Sequence, residues 1–116
     1  MRTKKMKDCL FCKIANKEQK ADIVAEGENF IAFEDINPKA PVHVLIIPKK
    51  HISSVNELKK EDKKLMGNLF LAAKKVAKKK EVKKEGYRLI VNTGKGAGQE
   101  IDHLHLHLIS GKKLGF

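Results

Sequence analysis

No stretch of this chain approaches the ~20 consecutive apolar residues that a membrane-spanning helix needs, and its N-terminus carries no apolar segment of the signal-peptide kind. Those two absences set the expectation of a cytoplasmic protein without membrane association. Cysteine is scarce as well. The two residues present, Cys9 and Cys12, are too few for the disulfide framework of a small secreted domain, and their C-x-x-C spacing points to metal or redox chemistry instead. A chain of 116 residues has material for one core and not for two. The expected organisation is a basic, disordered tail over 1–7 followed by a single domain over 8–116.

Acidic residues are outnumbered, 14 against 25 basic ones, for a formal charge of +11. An excess of this size raises the question of nucleic-acid binding, but its distribution argues against it. Eleven lysines fall between Lys59 and Lys84, interleaved with an apolar stripe, and Phe70 is the one aromatic residue before Gly86 in that stretch. Proteins that read bases pair their cations with aromatic rings and arginine forks, which stack and hydrogen-bond in a plane. The expectation is therefore a solvated, lysine-coated helix face with no nucleic-acid partner.

Hydrophobic periodicity then orders the elements. Leu10, Phe11, Ile14 and Ala15 recur at helical spacing, which predicts a short helix around the cysteines. Ile23–Ala25 and Phe30–Phe33 flank Glu26-Gly27-Glu28-Asn29 and read as two strands joined by a hairpin turn. His43 to Ile47 is nearly continuous in apolar residues, as in a strand buried on both faces, and Pro48 ends it. A long helix is predicted from between Asn56 and Glu61 to about Lys84, with Leu65, Leu69, Ala72, Ala73 and Val76 as its stripe and Gly86 as its stop. Tyr87–Val91 and Ile101–Ile109 supply the fourth and fifth strands, separated by the loop Gly94-Lys95-Gly96-Ala97-Gly98. The order implies an α+β fold, with one short and one long helix on a mostly antiparallel sheet.

The stretch richest in chemistry is His103-Leu104-His105-Leu106-His107, which holds three of the five histidines. Side chains of a strand alternate between faces, so the imidazoles share one side and the leucines the other, with neighbouring histidines roughly 6–7 Å apart. Near neutral pH an imidazole is a nucleophile when one ring nitrogen is unprotonated and the other N–H is held by a fixed acceptor. Neighbouring donors then stabilise phosphate oxygens during displacement, and glycine-loop N–H groups approach a phosphate closely. A metal site built from the H-x-H pattern itself is the competing chemical reading.

Asn92, Gly98-Gln99-Glu100 and the H-x-H-x-H stretch resemble the signature of the histidine-triad (HIT) superfamily, in its Hint branch of nucleoside phosphoramidate hydrolases. The likeness continues upstream through Phe33-Glu34-Asp35-Ile36-Asn37-Pro38 and Ala40 to Ile52, and covers nearly the whole chain from Cys9. The resemblance implies a HIT-like fold with a five-stranded antiparallel sheet, and a homodimer that joins two sheets. It implies a covalent nucleotidyl intermediate on His105, with His107, His43, Gln99 and Asn92 at the phosphate. Asp35 would accept from the ribose hydroxyls, with Phe11, Ile14, Phe33 and Ile36 around a purine of the AMP type.

For the cysteines, a thioredoxin-like motif would need a βαβ context that is missing here, and chance burial of two thiols is the plain alternative. The favoured reading is a tetrahedral site of Cys₂His₂ type. Several members of the superfamily are similar in this respect, and the resemblance carries the ligands onto Cys9, Cys12, His51 and His103, with one structural zinc per chain. His103 would then clamp the fold while His105 remains for catalysis. Glu100 stands where some Hint members carry a serine that passes a proton to the leaving group, and it leaves that donor open. The function expected is hydrolysis of purine nucleoside 5′-phosphoramidates, including aminoacyl-adenylate types. Diadenosine polyphosphate hydrolysis, deadenylation of nucleic-acid ends and a nucleotide-binding regulatory role are the alternatives.

Overall fold

The three short apolar runs between Ile23 and Pro48 form an antiparallel meander. In the computed structural model, which describes residues 8–115, its strands are β1 (Ile23–Glu26), β2 (Phe30–Glu34) and β3 (Val42–Pro48). The tail expected over 1–7 lies outside the described residues. The turn between β1 and β2 is closed by Gly27 N–H donating to the Phe30 carbonyl at 3.0 Å, and a Cβ at Gly27 would collide with the Phe30 ring. β4 (Arg88–Ile90) and β5 (Leu106–Ser110) complete a five-stranded sheet in the order β1-β2-β3-β5-β4, with every pairing antiparallel. This is the sheet that the sequence leads one to expect.

β3 is buried along nearly all its length because each face has its own cover. Val44 and Ile46 join Ala32, Leu106 and Leu108 in a cluster with Leu69, Ala72, Ala73, Val76 and Ala77 of α2 (Lys63–Lys79). Leu45 and Ile47, pointing the other way, join Ile31 and Phe33 against Phe11, Cys12, Ile14 and Ala15 of α1 (Leu10–Ala15) and its N-terminal neighbour Cys9. One register of β3 thus builds two cores.

Three boundaries differ from the sequence expectation by more than one residue. α2 starts at Lys63, after two 3₁₀ turns at Val55–Glu57 and Lys60–Asp62. It stops at Lys79, well before Gly86: Glu81 takes a left-handed backbone at φ 59 and donates to the Lys78 carbonyl, while Val82 N–H reaches back to Ala77. That pair of bonds is a Schellman cap, completed by burial of the Val82 side chain beside Ala77 and Val76. Of the expected apolar stripe, Leu65 is only half-buried, and Ala77 joins the core at the other end of the helix.

The fifth strand is also shorter than expected, pairing from Leu106 and not from Ile101. In register, Leu104 would face Pro48, which has no N–H to give. The Pro48 carbonyl instead accepts from the His103 ring, and Leu104 N–H turns to the Ile52 carbonyl at 2.7 Å. Side-chain and loop bonds replace the ladder where the first two histidines stand.

Candidate functional site

Cys9 caps the first turn of α1, its Sγ accepting from Cys12 N–H at 3.3 Å, so both sulfurs lie on one side of the helix start. His51 follows β3 on a segment tethered by Lys50 Nζ to Asp62 Oδ1 at 2.8 Å, and this ammonium holds the Asp62 carboxyl below its usual range. The two segments meet at His103. Its Nδ1 lies 3.3 Å from Cys9 Sγ and 3.5 Å from Cys12 Sγ, and His51 Nδ1 lies 3.1 Å from Cys12 Sγ. All four ligand atoms fall within 4.8 Å of one another. His103 Nε2–H donates to the Pro48 carbonyl at 2.8 Å, which leaves the Nδ1 lone pair facing the sulfurs. Burial pushes the His103 imidazole down to about 4 and, with Cys9 beside it, the Cys12 thiol up to about 12. Two thiols and two imidazoles, one of them oriented by the Pro48 carbonyl, fit a tetrahedral metal ion.

From His103 the rings continue as a row. Phe11 stands edge-on between His103 and His105, with centroids 5.9 and 5.1 Å away; His105 meets His107 at 4.9 Å, and His107 meets His43 at 5.2 Å. The three imidazoles do share one side, although only His107 belongs to the paired strand.

The partners of each ring fix its tautomer. His105 Nδ1–H donates to the His103 carbonyl at 2.7 Å, so Nε2 carries the lone pair. His43 Nδ1 accepts from Lys39 N–H at 3.0 Å, which puts its proton on Nε2. That proton is directed to His107 Nδ1 at 3.0 Å, with Asp35 Oδ2 at 3.3 Å, and His107 in turn keeps its proton on Nε2. Adjacent rings therefore present opposite characters, a lone pair on His105 and an N–H on His107. Burial lowers all three imidazoles, His107 to about 4, and keeps them neutral near pH 7. Asp35, His43 and His107 also bring ligand atoms together, but the tautomer leaves His43 no lone pair for a metal.

His105 and His107 form one end of a cavity of about 370 Å³, in the range of small-molecule sites. Phe11, Ile14, Phe33, Asp35 and Ile36 line it, as the sequence reading expected. Ile36 is 87% exposed and therefore sits at the mouth. Three expected residues are not on its wall. His43 is buried behind His107. Asn92 stands beside the glycine loop, its Nδ2 3.9 Å from where a Gly98 Cβ would be. Gln99 is buried with its amide in use: Oε1 accepts from Gly94 N–H at 2.8 Å, and Nε2 donates to the Ser53 and Ile101 carbonyls. It braces the loop 94–98 against the segment after His51. The cavity adds Leu10, Gln19, Lys20, Ala21, Leu45, Gly98 and Glu100. Leu45 could have been found from strand alternation; Gln19 and Lys20 belong to no motif.

The arrangement has relatives. The scavenger mRNA decapping enzyme C-terminal binding family matches residues 8–115. A purine nucleoside phosphoramidase of Escherichia coli K12 is 41% identical over 108 residues, covering 93% of this chain and 91% of that protein. An uncharacterized HIT-like protein of Buchnera aphidicola is 49% identical over 105 residues, covering 90% and 92%. Among solved structures, a HIT family hydrolase from Legionella pneumophila superposes with a TM-score of 0.92 at 47% identity, over 94% of this chain and 97% of that one. With the histidine row, the five-stranded sheet and these matches in agreement over almost its whole length, the chain belongs to the histidine-triad (HIT) family.

Proposed function

We propose that this protein hydrolyses purine nucleoside 5′-phosphoramidates, aminoacyl-adenylate types included, through a nucleotidyl intermediate on His105. The observation that carries the reading is the bond from His105 Nδ1–H to the His103 carbonyl, which turns an unprotonated Nε2 into a fixed nucleophile beside the His107 N–H. The name of the 41% identical Escherichia coli relative supports the choice of substrate.

In this mechanism His105 Nε2 attacks the α-phosphorus, a P–Nε2 bond forms and the bond to the leaving group breaks: P–N to the amine of a phosphoramidate, or P–O to the carboxylate of an aminoacyl adenylate, which leaves as the anion without needing a proton. The electron pair goes with the leaving group, and an amine departs with a proton drawn from the open side of the cavity, where Glu100 stands. His107 Nε2–H donates to a non-bridging oxygen as charge builds there. Water then cleaves the P–Nε2 bond, releasing the nucleoside monophosphate and returning His105 to its neutral form. Asp35 accepts from the ribose, its Oδ1 already holding Asn37 N–H at 2.8 Å.

Cys9, Cys12, His51 and His103 would hold one zinc ion, which clamps α1 to the sheet and, with four protein ligands, takes no part in the reaction. We further propose a cytoplasmic homodimer. Among the described residues no helix is long and apolar enough to cross a membrane.

His105→Asn is the test. Loss of turnover of adenosine phosphoramidate with AMP affinity retained supports the nucleophile, whereas unchanged turnover overturns it. Turnover of diadenosine tetraphosphate decades faster than that of the phosphoramidate would overturn the substrate assignment.

A further inference from the structure

The floor of the cavity includes three residues in register, His107, Leu45 and Phe33, and the same row continues beyond the lining to Ile23 on β1. His107 on β5 faces Leu45 on β3, Leu45 faces Phe33 on β2, and Phe33 faces Ile23 on β1. Neighbouring strands are about 4.8 Å apart, so the row measures roughly 14 Å from His107 to Ile23. Its direction gives the cavity two ends. The phosphate chemistry belongs to the end at β5. The other end is closed by the residues just before β1, namely Gln19, Lys20 and Ala21. A nucleotide bound as proposed above, phosphate on the histidines and ribose on Asp35, turns the outer edge of its base toward that wall.

Most of the wall around the base is apolar: Phe11, Ile14, Phe33 and Ala21. Such surfaces accept any purine, because every base offers them a π face. Discrimination needs a hydrogen-bonding group at the edge, left unpaired by the wrong base. Gln19 meets that description. Its backbone is anchored, with N–H donating to the Lys13 carbonyl at 3.2 Å, and Glu18 N–H bonds the same carbonyl at 2.8 Å. Its side chain makes no hydrogen bond among the described residues, and the residue is part of the cavity lining.

We propose that Gln19 is the base-selecting residue of this site and that it favours adenine. The inference rests on the nucleotide reading above. A carboxamide presents one donor beside one acceptor. Adenine presents the matching acceptor and N6–H donor along either hydrogen-bonding edge, whereas guanine matches a carboxamide along its Watson–Crick edge alone, N1–H beside O6, and offers two acceptors, O6 and N7, on its Hoogsteen edge. Lys20, a pure donor, would suit that Hoogsteen edge instead, so the two neighbouring side chains give opposite preferences.

Calorimetric titration of the full-length protein with AMP and GMP separates these cases. The wild type is expected to bind AMP about tenfold more tightly than GMP, the discrimination of one good bidentate contact. Gln19→Leu should bring the ratio close to one, mainly by weakening AMP. Gln19 is exposed, so the variant should fold, and an unchanged thermal midpoint would verify this. A wild-type ratio near one, or a ratio that survives Gln19→Leu, overturns the assignment while the nucleotide site stands. A preference abolished by Lys20→Met and not by Gln19→Leu also overturns it. Failure of both nucleotides to bind the wild type would overturn the nucleotide reading itself.

Discussion

His43 Nε2 lies 3.0 Å from His107 Nδ1, and the backbone N–H of Lys39 on the far side of His43 determines which of the two carries the proton between them. A peptide group outside the cavity thus sets the character of a ring inside it. The resemblance implies a place for His43 at the phosphate; in the structure it is buried behind His107 and bonded to it, the arrangement of a residue that would act through His107. Replacing His43 with alanine removes the donor to His107 Nδ1 and lets His107 turn its proton inward. Turnover of adenosine phosphoramidate should fall about 100-fold, the lower end of what a positioned proton donor contributes, with KM nearly unchanged. His43→Gln keeps an N–H donor and should recover part of the loss. Equal activity of His43→Ala and wild type would exclude the relay.

The neutrality of His107 has a pH signature. Burial, with His105 and His43 alongside, pushes its folded-state value down to about 4 from an ordinary 6.5, against the pull of Asp35. Between these values the unfolded chain binds a proton that the folded chain declines. Stability therefore rises with pH through this window. It is lost progressively as pH falls from about 6.5 toward 4, and this residue contributes no further loss below that. The acid limb of kcat/KM, which reports the free enzyme, should accordingly lie well below 6.5. A limb at 6.5 that disappears in a His107 variant would contradict the burial-driven shift.

The sequence carried the fold through its periodicities, and it failed where backbone bonds are decided by residues far away. Short apolar runs bounded by turn residues located β1, β2 and β3, and strand alternation gave the common side of the histidines. It could not reveal that Pro48 ends the ladder to β5, because that depends on a proline on another strand meeting Leu104. Gln99 sits in the right motif, yet its amide is consumed by Gly94, Ser53 and Ile101, a contact set spread over many positions. The Cys9, Cys12, His51 and His103 cluster was legible because its residue types are few and chemically specific. Gln19 and Lys20 were not, since polar residues before a strand are ordinary surface until the sheet register shows which cavity they close.

The end of α2 provides a test of this local misreading. Glu81 occupies a left-handed position at φ 59 so that Val82 can enter the core. For a residue with a Cβ this conformation costs about 1 kcal/mol or more, and glycine avoids that strain. Glu81→Gly should therefore stabilise the protein by up to about 1 kcal/mol, partly offset by the greater freedom of glycine in the unfolded chain. Val82→Ala should destabilise it by about 2 kcal/mol through lost burial and the cavity left behind. Urea unfolding of the two variants measures both. A neutral Val82→Ala would mean that the cap bonds, and not the buried side chain, end the helix.

The metal reading makes the last prediction, and the geometry of His103 gives it a direction. Its Nδ1 faces the sulfurs because Nε2–H is tied to Pro48, so the ligand is oriented before any ion arrives and α1 is drawn onto the sheet beside Phe11. An ion bound only by the folded state adds RT ln(1 + [L]/Kd), about 4 kcal/mol at a thousandfold excess over Kd. Protein purified without chelators should contain one zinc per chain, and stripping it should lower the thermal midpoint and loosen α1. Because Phe11 of α1 packs edge-on against His105 at 5.1 Å, loss of the ion should also weaken AMP binding, although the ion touches no nucleotide. Cys12→Ser should reproduce both effects without a chelator. Zinc-free protein with full stability and full AMP affinity, together with a silent Cys12→Ser, would reduce the four residues to a buried polar cluster.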